Sequence, residues 1–257
     1  MNNAETARVH ELGPGVWQFV GARRSAHSYL FKGRRRIALV DSGLPTTTGY
    51  LEACLATLGL APRDLDWLVL THEHIDHAGG AAFFARQCLV AAHAQAANKL
   101  ALADDFSLMT KAFAEAARPF QADLCCAEGT AIELGGLTLE VLHTPGHCSG
   151  SVCLYVPQQR LLVAGDTIMA QGVVGGVLMS GNTSDYISSL ERLQRLRIDA
   201  LLPGHGRVSH DAQADLEAGL ARLRAMLEDS HTLFAALRET DQGFDELMRS
   251  LRDLNQL

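Results

Sequence analysis

Apolar residues fall in short runs along this chain, and most of the runs stop abruptly at a polar cluster. Residues 16–20, 28–31 and 36–41 read as strands, the last closing at the turn pair Ser42-Gly43. Helical periodicity follows over 46–58, with Tyr50, Leu51, Cys54, Leu55 and Leu58 on one face. Four further strand-like runs, 67–70, 139–142, 161–164 and 200–202, each lead directly into histidine or aspartate. The clusters are Thr71-His72-Glu73-His74-Ile75-Asp76-His77, His143-Thr144-Pro145-Gly146-His147, Gly165-Asp166-Thr167 and Pro203-Gly204-His205-Gly206. If these runs are strands of stacked sheets, all four clusters emerge along one rim, where loops on a rigid scaffold commonly carry a site. A helix is expected over 78–87, and a helical insertion over about 94–120, with Phe106, Met109, Phe113 and Phe120 at helix-compatible spacing. A C-terminal helical segment is expected over about 211–254. It comprises a long helix at 211–239, with Leu216, Leu220, Leu223 and Leu227 three or four apart, and a short one at 244–254. Periodicity thus gives a mixed α/β chain. It has no linker, low-complexity stretch or fixed repeat, so a single domain over 1–257 is expected.

Composition narrows the classes. A hydrophobic fraction of 47% with 20% charged residues excludes a disordered chain. The formal charge of −7 disfavours a broad basic face for nucleic acid. The basic triplet Arg34-Arg35-Arg36 precedes a strand and reads as a solvated turn. No apolar run approaches the roughly 20 residues of a membrane span, and no basic region followed by an apolar stretch marks a secretory signal. Six cysteines without any Cys-x-x-Cys spacing point to reduced thiols. The expectation is a cytoplasmic protein acting on a small molecule, with neither membrane nor nucleic acid as partner and homodimerisation left open.

The polar clusters carry the chemistry. Side chains two apart in extended backbone point the same way, so His72 and His74 can reach one ion as their strand ends. Asp76 and His77, at the start of the next helix, can face a second position. Imidazole and carboxylate donors suit zinc first, with iron and manganese as alternatives. His147, Asp166 and His205 follow apolar runs in turns containing Gly or Pro, which bring backbone close to a site. Asp166 has two carboxylate oxygens and is the natural bridge between two cations. No Gly-x-Ser-x-Gly nucleophile elbow is present. His27 and His93 are further candidates for the surroundings of the site, and Cys148 reads as a packing thiol.

In the order His72-x-His74-x-Asp76-His77, then His147, Asp166 and His205, the chain resembles the metallo-β-lactamase-fold hydrolases over about residues 10–210. That resemblance implies an αββα sandwich and two divalent metal ions. His72, His74 and His147 would hold the first, Asp76, His77 and His205 the second, with Asp166 between them. It also implies that Asp76 both ligates and acts catalytically, orienting the nucleophile or moving a proton. The bridging aspartate speaks against β-lactam hydrolysis, since many β-lactamases of this fold place a cysteine there. Gly165-Asp166-Thr167-Ile168-Met169 lacks the Cys-Gly-Arg segment typical of glyoxalase II and the persulfide dioxygenases. Met169 stands where acyl-homoserine lactonases often carry tyrosine.

The expected activity is attack by activated water on an ester-like carbonyl, a thioester or lactone, in a partly apolar pocket. The insertion reads first as an amphipathic helix packed on the body, with an apolar lid over the rim as the alternative. Met169, Val173, Val174, Leu178 and Met179 are either core or, with such a lid, the opposite wall. The competing readings are a phosphodiesterase or RNA nuclease and a mononuclear iron persulfide dioxygenase.

Overall fold

The strand-like runs assemble into two sheets stacked face to face. The computed structural model describes residues 6–238; the short helix expected at 244–254 lies outside them. The first sheet has the order β1 (Val9–Gly13), β2 (Val16–Phe19), β3 (Ser28–Lys32), β4 (Ile37–Val40), β5 (Trp67–Val69), β6 (Leu89–His93) and β7 (Leu124–Cys126). From β4 to β7 neighbouring strands are parallel. Parallel neighbours need crossovers. α1 (Thr48–Thr57), the pair α2 (Ile75–Ala78) and α3 (Ala81–Phe84), and α4 (Ala94–Leu102) with the short α5 (Thr110–Phe113) occupy those connections. The second sheet comprises β8 (Ala131–Glu133), β9 (Thr138–His143), β10 (Val152–Val156), β11 (Leu161–Gly165) and β12 (Ala200–Pro203), with β12 at the far edge beside β11. α6 (Thr183–Leu193) and α7 (Ala212–Arg238) complete the order.

Period-2 alternation sorts each strand between two cores. In β4, Ala38 and Val40 face the second sheet, together with Phe31, Val141, Leu154, Val163 and Leu202. Leu39 points the other way, toward Leu51 and Leu55 of α1, Phe84 of α3 and Leu100 of α4. Behind the second sheet, Leu162 and Leu201 meet Tyr186, Leu190 and Leu193 of α6 and Leu216, Leu220 and Leu223 of α7. The result is four layers, an αββα sandwich. Strands buried on both faces explain why these segments read as unbroken apolar runs. Each fully buried Leu, Val or Phe side chain contributes about 1.5–3 kcal/mol.

Two helical expectations are corrected. The helix expected over 78–87 is two single turns, α2 and α3, interrupted at Gly79-Gly80. The Gly80 N–H donates to the Gly43 carbonyl at 3.0 Å instead of continuing the helix, and a Cβ on Gly79 would lie 2.4 Å from Cδ of Pro45, so this close approach to the β4–α1 turn admits only glycine. The insertion over 94–120 is helical only in α4 and α5. Ala103, Met109 and Ala114 adopt positive φ; Ala103 closes α4, and Met109 and Ala114 bracket the four-residue α5. Phe106 is exposed as a consequence, whereas Phe120 packs against the helical layer over the first sheet. Among the described residues no helix is long and apolar enough to cross a membrane.

Candidate metal centre

The four polar clusters meet at one end of the sandwich. His72 and His74 follow β5, and Asp76 and His77 lie within α2. His147 sits in the β9–β10 loop, Asp166 directly after β11 and His205 after β12. All seven are brought together. Nε2 of His72 and Nε2 of His147 each lie 3.0 Å from Nδ1 of His74. Tetrahedral zinc with bonds of about 2.0–2.1 Å would separate its nitrogens by about 3.3 Å, so three imidazoles this close match one ion's donor set. A second group adjoins it. Nε2 of His205 lies 3.0 Å from Oδ2 of Asp76, and Nε2 of His77 lies 3.8 Å from the same oxygen. Asp166 addresses both groups. Its Oδ1 is 3.2 Å from Nε2 of His77 and 3.8 Å from Nε2 of His205, while Oδ2 is 3.9 Å from Nε2 of His147.

The surroundings fix which nitrogen each ring offers. Asp41, at the end of β4, accepts from the backbone N–H and the hydroxyl of Thr71, each at 2.8 Å. Its Oδ2 also accepts from Nδ1 of His77 at 2.8 Å, so that on deprotonation it is Nε2, facing the centre, that carries the lone pair. Because the Thr71 hydroxyl proton goes to Asp41, its oxygen accepts from Nδ1 of His72 at 3.1 Å. Nδ1 of His147 donates to the Gly176 carbonyl at 3.0 Å. A Cβ on Gly204 would stand 2.5 Å from His77 and 2.6 Å from Oδ1 of Asp166, so only glycine leaves room at that turn.

Burial and neighbouring imidazoles push His72 well below its ordinary pKa and His74 down to about 4. Both rings are therefore neutral donors at physiological pH. For His77 burial acts downward too, but Asp166, Asp76 and Asp41 outweigh it and raise the pKa. Burial alone would raise Asp166; His77 reverses this and holds the carboxyl below its usual range. Nε2 of His77 and Oδ1 of Asp166 are buried without a hydrogen-bond partner. Buried polar atoms are rarely left so, and two convergent atoms able to offer lone pairs suit a shared cation. The nitrogen and oxygen donors therefore fit divalent metal, His72, His74 and His147 forming one triad and Asp76, His77 and His205 another.

Beside the centre opens a cleft of about 370 Å³ bounded by Arg24, Met109, Phe113, Gly175 and Leu178 together with His74, Asp76, His147, Asp166 and His205. The expected opposite wall is reduced to Leu178; Val173 and Met179 are exposed, and Val174 packs toward α6 and α7. His27 is not a donor. Its Nδ1 accepts from the Gly21 N–H at 2.8 Å, and its Nε2 therefore donates to the Gly206 carbonyl at 2.7 Å, holding the His205 turn. His93 lies outside the cleft, stacked on His143 with ring centroids 3.9 Å apart. Cys148 is a packing thiol, its Sγ 3.3 Å from Oε2 of Glu73. Sequence reasoning missed Asp41, read only as a strand end, and the buried Glu73, whose ion pair with Lys99 of α4 lies behind His74. A buried acid inside a histidine cluster was the available signal for Glu73; Asp41 offered none.

The family model described as the metallo-beta-lactamase superfamily matches residues 21–205, and the chain belongs to that superfamily. It is a hydrolase of that fold. Acyl-coenzyme A thioesterase MBLAC2 of Gallus gallus is 32% identical over 222 residues, 76% of this chain and 78% of that protein. An atrochrysone carboxyl ACP thioesterase of Aspergillus fumigatus is 24% identical over 216 residues, 84% of this chain and 60% of its own length. A metallo-beta-lactamase family protein of Thermus thermophilus superposes with a TM-score of 0.72 at 29% identity, covering 88% of this chain and 84% of its own.

Proposed function

We propose that this hydrolase cleaves acyl thioesters at a pair of divalent cations, zinc being the ion best suited to the donors. The supporting observation is the joint placement of two donor groups, turned toward one shared carboxylate, at the head of a partly apolar cleft. His72, His74 and His147 would hold the first ion, Asp76, His77 and His205 the second, and Asp166 would span both. When bound, such ions make water acidic enough to attack near neutral pH and polarise the acyl carbonyl. The chain's own part is positioning. Asp76, with Oδ2 turned to His205, keeps its other oxygen to orient the nucleophile and move a proton. Met109, Phe113 and Leu178 give the acyl chain an apolar wall that excludes bulk water.

The names of two relatives, a coenzyme A thioesterase and an acyl-carrier thioesterase, support the thioester over the lactone. The basic triplet Arg34-Arg35-Arg36 is an exposed turn between β3 and β4, at the opposite end of the strands from the centre. Thiol release from a panel of acyl thioesters, run beside lactones and phosphodiesters on the zinc-loaded protein, tests the reading. Thioester cleavage is expected; cleavage confined to phosphodiesters overturns it.

A further inference from the structure

The β2–β3 loop is registered on the centre. The N–H of Ala26 donates to the Asp76 carbonyl at 3.0 Å, and that of His27 to the Gly204 carbonyl at 2.7 Å. Ser25 fastens the loop from below, its Oγ accepting from the Leu44 N–H and lying 2.9 Å from Oγ1 of Thr47. Arg24 is thereby carried to the cleft. Its guanidinium lies over the Phe113 ring, Cζ 4.4 Å from the centroid, and Nη1 donates to the Ala112 carbonyl at 2.9 Å.

Two contacts thus hold the guanidinium in place while using one of its five N–H donors. Arg24 has no carboxylate partner among the described residues, although Asp76 and Asp166 line the same cleft. Those two carboxylates are turned to the histidines, leaving Arg24 as the cation with free donors at the mouth. A planar fork seated over an aromatic ring and tied at one nitrogen is preorganised for recognition of an oxyanion by its remaining donors.

From this we infer that Arg24 forms an anion-recognition subsite, so that the preferred thioester carries a carboxylate or phosphate within reach of the cleft mouth. The inference rests on the thioester reading and deepens it. The oxyanion can come from the acyl side, as a carboxylate, or from the thiol side, as a pantetheine phosphate. Phe113 takes part as the platform that orients the fork, and Met109 and Leu178 leave an apolar path beside it.

The test compares Arg24→Met and Arg24→Lys with the parent on three substrates. These are a neutral acyl group on N-acetylcysteamine, a dicarboxylic acyl group on N-acetylcysteamine, and a neutral acyl group on phosphopantetheine. For Arg24→Met, the rise in KM on one anionic substrate is expected to exceed that on the neutral one by about tenfold or more. Which anionic substrate responds identifies the source of the oxyanion. Arg24→Lys is expected to recover part of the loss, since charge returns without the fork or the stacking. Equal losses on all three would make Arg24 a strut for α5 and overturn the inference, as would no loss on any. Calorimetric binding of the matching non-hydrolysable thioethers gives a second readout. If the parent cleaves none of the thioesters, the proposed function fails, while anion-selective binding lost in Arg24→Met still decides this subsite.

Discussion

His77 can serve the centre only through Nε2, because Asp41 accepts the proton on Nδ1. The same carboxylate takes both donors of Thr71, whose oxygen then orients His72. One buried side chain therefore sets two imidazoles on two different donor groups. Replacing Asp41 with alanine frees His77 to turn and strands the Thr71 donors. Losing such an outer partner typically weakens metal binding about 10–100-fold. A loss in that range is expected by equilibrium dialysis against zinc, with the Asp76–His77–His205 group emptying first. Unchanged affinity in a folded Asp41→Ala variant would remove Asp41 from this role.

At the scale of elements, the centre is a meeting of loops that something must clamp. Lys99 of α4 pairs with Glu73 between His72 and His74. It also donates to Ser149 beside the His147 turn at 2.9 Å and to Ser180 in the loop beyond Asp166 at 2.7 Å. Glu73 is fully buried. Lys99→Met leaves that charge unpaired, and a loss of about 3 kcal/mol is expected in urea denaturation. Adding Glu73→Gln should return part of it; a strictly additive double variant would contradict the clamp. Much of this architecture is legible in the sequence. Strands β4, β11 and β12 announce themselves as apolar runs buried on both faces, β5 and β9 as largely apolar ones, and the seven candidate donors as polar clusters that follow such runs. The interruption at Gly79-Gly80 is not, because it comes with a hydrogen bond from the Gly80 N–H to the Gly43 carbonyl, more than 30 positions earlier in the chain. The insertion is also misread from its spacing. Left-handed turns at Ala103, Met109 and Ala114 send its apolar residues to different neighbours, Met109 and Phe113 toward the cleft and Phe120 toward the body. Asp41 stays hidden since its partners Thr71 and His77 lie 30 and 36 residues away.

Across the whole molecule, concentrated imidazoles make the metal-free protein sensitive to acid. Burial first, and neighbouring positive charge second, lower His72, together with His74 and His93, both of which reach about 4 from an ordinary 6.5. Burial also lowers His27. Between those limits the unfolded chain binds protons that these rings refuse, so stability falls as pH drops from about 6.5 toward 4. His77 works in the opposite sense. Its raised pKa gives a contribution present below 6.5 and lost as pH climbs through the folded value. Asp166, held low, contributes above the usual carboxylate range and loses that contribution only in stronger acid. Four rings against one should give thermal midpoints, measured with chelator present, that decline from pH 6.5 to 4; a flat or rising profile would contradict the assigned protonation states. The centre itself is tested most directly by titrating zinc into the metal-free protein while following thiol release from an acyl thioester. Activity should climb until two ions are bound per chain and then stay level. Saturation at a single ion, or two bound ions with no thiol released, would contradict the account.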